Sequence, residues 1–305
     1  MQRCDRCSED AVYLRRYSGQ RMCSEHFLNY FEEKVVKTIK KEKMLQRGDK
    51  VGVGVSGGKD SLTTLHMLKN LQEDLDLEVH AIAVDEGVKG YRADTLGAAK
   101  NFCSREKIPL HVVSFKAGLG FTLDEVHKKR SPCAYCGVFR RKLLNETGIK
   151  LGLDKLATGH NLDDEVQAIM MNYISGDVER IARYGSGDGK GGFVKRIKPL
   201  AEMPEKEVAL YALLWDLGAS FAECPYAGGT LRSKVRDWIN ALEKDHPGIK
   251  FSILAGSRKM QPLLRNAASK ELKKCEKCGA PSSGSVCKAC LLLEEINLKG
   301  NETLI

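Results

Sequence analysis

Residues 50–61, Lys-Val-Gly-Val-Gly-Val-Ser-Gly-Gly-Lys-Asp-Ser, restrict the fold more than any other stretch of this 305-residue chain. Val51, Val53 and Val55 alternate with glycines that let another backbone or a ligand come close, as in a strand buried within a parallel sheet. Beyond the turn, Leu62, Leu65, Leu68 and Leu71 recur at helical spacing. A strand, a glycine turn and a helix in that order gather backbone N–H groups at a helix N-terminus, where unpaired donors and the positive end of the dipole attract an anion. Lys59 adds charge, and Ser56 and Ser61 add hydroxyl donors. The turn reads as a phosphate site.

Hydrophobic content of 42% is ordinary for a globular protein. No run approaches a membrane span and the N-terminus has no apolar signal core, so the chain is expected to be cytoplasmic, with no membrane partner. In that reducing compartment eleven cysteines, largely in C-x-x-C pairs, point to metal or redox chemistry and not to a disulfide framework. Cys4-x-x-Cys7, fifteen residues, then Cys23-x-x-His26 can close a tetrahedron around zinc, and so can Cys275-x-x-Cys278, eight residues, then Cys287-x-x-Cys290. Four protein ligands leave no open position, so both of these Zn²⁺ sites read as structural. The net charge of +9 suits a polyanionic partner. Arg3, Arg6, Arg15, Arg16 and Arg21 surround the first finger, and a helix over residues 27–46 carries Lys34, Lys37, Lys40, Lys41 and Lys43 opposite an apolar side, which offers RNA a surface.

Strands and helices alternate through the middle of the chain: a strand at 77–84, a helix at 92–107, strands at 110–115 and 155–158, and a helix running to about 174. Such alternation predicts an α/β fold, an open parallel sheet with helices on both faces, with ligands gathered at the carboxyl ends of the strands. Val84 and Asp85 stand at one such end, Gly159 and Asp164 at another. A carboxylate there can hold Mg²⁺ against a pyrophosphate or act beside a reacting carbonyl, although Asp163, Asp164 and Glu165 also suit the first turn of a helix. Amphipathic helices are expected at 204–217 and 230–243, and residues 185–192, with five glycines in eight, read as a mobile loop. Seven cysteines belong to the zinc sites and Cys103 falls on a core face, which leaves Cys133, Cys136 and Cys224. Three thiolates are an incomplete tetrahedral set: if they converge they suit an iron–sulfur cluster held by three corners, a persulfide-carrying redox pair, or a third zinc site.

The order Ser-Gly-Gly-Lys-Asp-Ser lacks Walker A spacing and resembles the PP-loop of ATP pyrophosphatases. With the two fingers and the three remaining cysteines, essentially the whole chain resembles the tRNA 2-thiouridine synthetases of the TtuA/NcsA type. The resemblance implies a PP-loop, Rossmann-like domain over residues 29–265, between an N-terminal zinc finger at 1–28 and a C-terminal one at 266–305. It implies that ATP adenylates the C2 oxygen of a tRNA uridine and that sulfur replaces AMP. Val55, Ser56, Gly57, Gly58, Lys59, Asp60, Ser61, Val84, Asp85, Gly159 and Asp164 would bind ATP with Mg²⁺. Cys133, Cys136 and Cys224 would hold a 4Fe-4S cluster, and Lys59, Asp60, Asp164 and Arg140 would serve catalysis. The sulfur donor is expected to be sulfide or a ubiquitin-like thiocarboxylate carrier, and the protein a homodimer. The T-loop branch commonly has a lysine four residues after the second cluster cysteine. Arg140 stands there, within Gly-Val-Phe-Arg-Arg, which looks more like the wobble-uridine branch. Arginine keeps the charge but cannot relay a proton as lysine can. The alternatives are thiolation of the T-loop uridine, or a zinc-finger RNA-binding protein with a regulatory nucleotide site.

Overall fold

The computed structural model describes residues 2–126, 132–183, 192–265 and 273–301; most of the glycine-rich stretch, 185–191, lies outside them. After β1 (Tyr13–Arg15), β2 (Gln20–Met22) and α1 (Ser24–Lys41), the chain runs β3 (Lys50–Gly54), α2 (Lys59–Asn70), α3 (Gln72–Leu75), β4 (Glu78–Asp85), α4 (Arg92–Arg105) and β5 (Leu110–Ser114). It continues through α5 (Phe115–Leu119), α6 (Leu123–Val126), α7 (Pro132–Lys150), β6 (Lys155–Thr158), α8 (Leu162–Ile174), α9 (Val178–Arg183) and β7 (Lys195–Ile197). Helices α10 (Glu205–Leu214), α11 (Leu231–Asp245) and α12 (Ile249–Arg265) precede β8 (Lys273–Lys274), β9 (Pro281–Ser282) and α13 (Lys288–Asn301). No helix among the described residues is long and apolar enough to cross a membrane.

Strands β3 to β7 form one sheet in the order β5-β4-β3-β6-β7, with every pair parallel. The two-residue period of a strand assigns its faces. Val51, Val53 and Val55 enter one core with Leu62, Leu65 and Leu68 of α2, Phe27, Phe31 and Val35 of α1 and Tyr211 of α10. Their neighbours Gly52 and Gly54 turn to the opposite face, where Leu153 and Leu144 occupy the space a side chain would need. That second core holds Ile82 and Val84 of β4, Tyr135, Phe139 and Leu143 of α7, and Cys275, Cys287 and Cys290 with Leu292 and Ile296 of α13. The C-terminal cysteine set is thereby packed against the helix that carries Cys133 and Cys136. From β3 the chain winds toward β5 on one side, and β6 then returns to pair with β3 on the other. The reversal opens a crevice at the carboxyl ends of β3 and β6, where open α/β sheets bind ligands.

The expected helix at 27–46 begins earlier, directly after Cys23, and ends at Lys41; Lys43, at φ 46°, turns the chain back so that Met44 is buried. The expected RNA surface is corrected at Lys34, which is partly buried and donates to Tyr17 (3.1 Å) and Tyr30 (2.9 Å) beside the fully buried Glu207. Lys41 is likewise ion-paired with Glu202 at 2.8 Å. Cys103 is core, and burial pushes its thiol up to about 11.

Candidate active site

The turn after β3 is drawn tight by serine hydroxyls. Ser61 Oγ accepts from the Ser56 N–H (3.1 Å) and donates to the Gly58 carbonyl (2.9 Å), while Ser56 Oγ accepts from the Gly58 N–H (3.3 Å). Gly57, at φ +88°, cannot carry a side chain, because a Cβ would lie 1.7 Å from the Thr95 carbonyl oxygen. Helix α2 starts at Lys59 with no side-chain cap, so its first amides remain open to an anion. Helix α8, by contrast, is closed by a capping box: Asn161 Oδ1 accepts from the Asp164 N–H (3.1 Å), and Asp164 Oδ2 accepts from the Asn161 N–H (3.3 Å). The end of β6 presses on the open terminus so closely that a Cβ at Gly159 would sit 2.7 Å from Asp60 backbone.

Three successive acidic residues open α8, and the helical turn sends them in different directions. Asp163 is buried, paired with Lys250, and accepts from the Glu205 N–H at 2.8 Å. Glu165 pairs with Lys198 at 2.7 Å. Asp164 alone faces the crevice. Its carboxyl is pushed up to about 6, first by burial and then by the charge of Asp60. Asp60 accepts from Asn161 Nδ2 at 2.9 Å and pairs with Lys59 Nζ at 2.9 Å, and Lys59 also reaches Glu205 at 2.9 Å. Two carboxylates repelling each other beside unpaired amides are a donor set that fits a divalent cation bridging to phosphate.

Asp60 and Asp164 line a cleft of about 480 Å³, together with Val55, Ser56, Ser61, Val84, Gly159 and Arg140. Asp85 instead caps the turn after β4 by accepting from the Gly87 N–H (2.9 Å) and borders an adjoining cavity. Gly57, Gly58 and Lys59 do not line the cleft, and Lys59 is held by its two carboxylates. His160 lines the cleft, bonded to Thr158 Oγ1 at 2.8 Å and pushed down to about 4 by burial and by Lys198.

Glu86 and Arg92 were not singled out by sequence, although Glu86 lies in the strand-end triplet Asp-Glu-Gly. Both are buried. Arg92 donates to the carbonyls of Ser56 (2.7 Å) and Val84 (2.6 Å), clamping the phosphate turn to the end of β4. Glu86 pairs with Arg92 Nε at 3.1 Å and with Arg140 Nε at 2.8 Å. Arg140 Nη2 then donates to Cys136 Sγ at 3.0 Å. A second connection runs from the turn through Ser220, whose N–H donates to the Gly57 carbonyl at 2.9 Å, into the segment bearing Cys224.

Cys133 donates to the Tyr226 carbonyl at 3.5 Å, which sets the start of α7 beside the Cys224 segment. Burial pushes the Cys136 thiol up to about 11, and burial followed by the charge of Cys133 raises Cys224. Among the described residues, two sets of potential ligands have their atoms within 4.8 Å of one another: Cys4, Cys7, Cys23 and His26, and Cys275, Cys278, Cys287 and Cys290. Their contacts include Cys7–Cys23 and Cys278–Cys287, each at 3.7 Å, close to the edge of about 3.8 Å that Zn–S bonds of about 2.3 Å give a tetrahedron. Both are zinc-binding clusters. The sulfurs of Cys133, Cys136 and Cys224 do not all lie within 4.8 Å of one another.

Residues 28–219 match the PP-loop domain family, residues 3–28 the N-terminal LIM domain of 2-thiouridine synthetase TtuA, and residues 273–300 a zinc-ribbon family. The tRNA 2-thiolation protein NcsA of Haloferax volcanii is 38% identical over 96% of this chain and 98% of its own. The tRNA-5-methyluridine(54) 2-sulfurtransferase of Pyrococcus horikoshii is also 38% identical, over 99% of this chain and 97% of its own. The structure of the U34-tRNA thiolase NcsA from Methanococcus maripaludis with its [4Fe-4S] cluster superposes with a TM-score of 0.86, at 41% identity and 97% coverage of both chains. The open phosphate-binding turn, the two zinc clusters and these full-length likenesses agree, and the chain belongs to the TtuA/NcsA family of PP-loop tRNA 2-thiolation enzymes.

Proposed function

We propose that the enzyme activates the C2 oxygen of the tRNA wobble uridine by adenylation and replaces it with sulfur, with Cys133, Cys136 and Cys224 holding a 4Fe-4S cluster. One observation carries the reading: Arg140 lines the nucleotide cleft and also donates to Cys136 Sγ at 3.0 Å, so one side chain joins the cleft of the phosphate turn to a thiol of the three-cysteine set. An amide-like oxygen leaves poorly, and adenylation makes it part of a phosphate. The open amides of α2 and Lys59 stabilise the departing pyrophosphate, each well-aimed donor contributing about 3 kcal/mol at the transition state. Asp60 and Asp164 would hold Mg²⁺ beside the phosphates, a role that suits a carboxyl ionised above about 6. When bound there, the cluster would supply iron at which inorganic sulfur can be presented. Glu86 holds Arg140 between the two halves of the cleft, where its fixed positive charge faces the phosphate and the sulfur without titrating.

The wobble assignment rests on Gly137-Val138-Phe139-Arg140-Arg141, because the proton-relaying lysine common in the T-loop branch is replaced by an arginine already engaged by Glu86 and Cys136. The test uses anaerobically purified protein with ATP, sulfide and unmodified tRNA, read by nucleoside mass spectrometry and metal analysis. Formation of 2-thiouridine at the wobble position, with iron lost in Cys133→Ala, Cys136→Ala and Cys224→Ala, is expected. Full activity with zinc but no iron would sink the cluster, and sulfur appearing only in the T-loop would sink the wobble assignment.

A further inference from the structure

Five cationic side chains line the cleft, and they differ in how their charge is balanced. Arg92 and Arg140 share Glu86, and Lys198 pairs with Glu165. Arg141 and Arg196 have no carboxylate partner among the described residues; Arg196 Nη2 reaches only the Arg141 carbonyl, at 3.5 Å. Arg141 folds back along α7 over Gly137, where an added Cβ would meet its Nη1 at 3.4 Å, so the guanidinium lies beside the cysteine-bearing turn. Arg196 stands opposite, on β7. Burial lowers both groups below their ordinary values, followed for Arg141 by the charges of Arg140 and Arg180 and for Arg196 by that of Arg141. Holding two like charges together, partly shielded from water, costs free energy that an incoming anion would return. Two guanidinium forks converging on one space match the oxygens of a phosphate.

The strand order separates this pair from the phosphate turn. β7 lies two strands from β3, about 10 Å from the strand that carries the phosphate turn. A nucleotide whose phosphates sit on the amides of α2 leaves this second position empty. A base presented to that nucleotide brings its own flanking phosphodiester into the same cleft. We propose that Arg141 and Arg196 form a second anion clamp that grips an RNA backbone phosphodiester beside the target base. This rests on the RNA-thiolation reading for the identity of the ligand, but its test requires neither ATP turnover nor sulfur.

The experiment compares the full-length protein with Arg141→Gln, Arg196→Gln and the double variant. It measures tRNA binding over a salt series, ATP and pyrophosphate binding by titration, and thermal stability. Each single substitution should weaken tRNA binding about tenfold, the loss expected for one charge-assisted contact. It should also lower the slope of log K against log salt by about 0.7. Arg141→Lys should keep the slope and lose part of the affinity. ATP affinity should stay within about twofold, and the melting temperature should hold or rise, because relieving repulsion does not damage a fold. Unchanged tRNA affinity and slope would overturn the clamp, and so would a loss confined to ATP or pyrophosphate, which would place the nucleotide between the arginines. If the salt slope falls as expected in a protein that forms no 2-thiouridine, the clamp stands and the thiolation reading fails.

Discussion

Asp164→Asn should make the protein more stable and less active at the same time. In the fold, the carboxyl rises from its ordinary 3.8 to about 6, chiefly because it is buried and then because Asp60 is near. That corresponds to about 3 kcal/mol at 1.36 kcal/mol per tenfold change. The side chain keeps 32% of its exposure, so solvent screening reduces the expected effect to about 1–2 kcal/mol. The sign follows from proton binding: with its acid constant raised by folding, the native state binds the proton more tightly, so the group favours the fold below pH 4. That advantage is lost as pH rises from about 4 through about 6, and above this the ionised carboxylate is a standing cost. Asparagine removes the cost yet can still accept the Asn161 N–H, so the cap of α8 persists. Urea unfolding or thermal melting with zinc present, at pH 5 and pH 8, is the assay. The variant should exceed the parent by about 1–2 kcal/mol at pH 8 and by clearly less at pH 5, while AMP formation drops. Equal stability at pH 8, or a gain that does not depend on pH, would refute the electrostatic account.

Three further outcomes are expected. Lys59→Ala should lower AMP formation about 100-fold or more while both zinc clusters keep their metal, measured by pyrophosphate release and metal analysis. Glu86→Ala strands the buried Arg92 and the Arg140 guanidinium without their shared counter-charge and should destabilise by about 3–5 kcal/mol in urea unfolding; adding Arg140→Gln should recover part of that loss. Cys290→Ala should release one zinc equivalent and, because Cys275, Cys287 and Cys290 share a core with α7, should also lower iron retention at the distant thiols in anaerobic metal analysis.

Features that depend on near neighbours were legible in the sequence. The valine–glycine alternation of 51–55 and the leucine spacing of 62–68 place those residues in one core because strand and helix periods act within a few residues. C-x-x-C pairs announce zinc because two ligands on one tight turn are half a tetrahedron. What remained hidden depends on distant residues. No local pattern says that Glu205 holds Lys59 across 146 positions, or that Glu86 joins two arginines on different helices. Asp163, Asp164 and Glu165 are equivalent as helix starters, and only the packing of α8 against α12 turns Asp163 toward Lys250 and leaves Asp164 to the cleft. Arg196 lies on a three-residue strand, too short for alternation to reveal, and α12 runs through Pro262 to Arg265.

The charges around the phosphate turn imply that nucleotide and divalent cation bind together. Lys59 shares its one positive charge between Asp60 and Glu205. Phosphate bound at the α2 amides competes for Lys59, and each contact it takes leaves Asp60 and Asp164 facing each other with less compensation, since Arg232 is 3.5 Å from Asp164 and about half exposed to solvent. Protonating Asp164 relieves the repulsion, and so does a divalent cation shared by both carboxylates. The two routes have opposite pH dependence. With EDTA present, ATP should bind more weakly as pH rises through about 6 and Asp164 ionises. With Mg²⁺ present, ionised Asp164 becomes a ligand and affinity should rise over the same interval. The nucleotide's own titration is common to every variant, so the informative quantity is the difference from Asp164→Asn, measured by calorimetry between pH 5 and pH 8. If parent and variant share one pH profile under both conditions, Asp164 does not hold the cation, and the raised carboxyl must be read as a cost of burial alone.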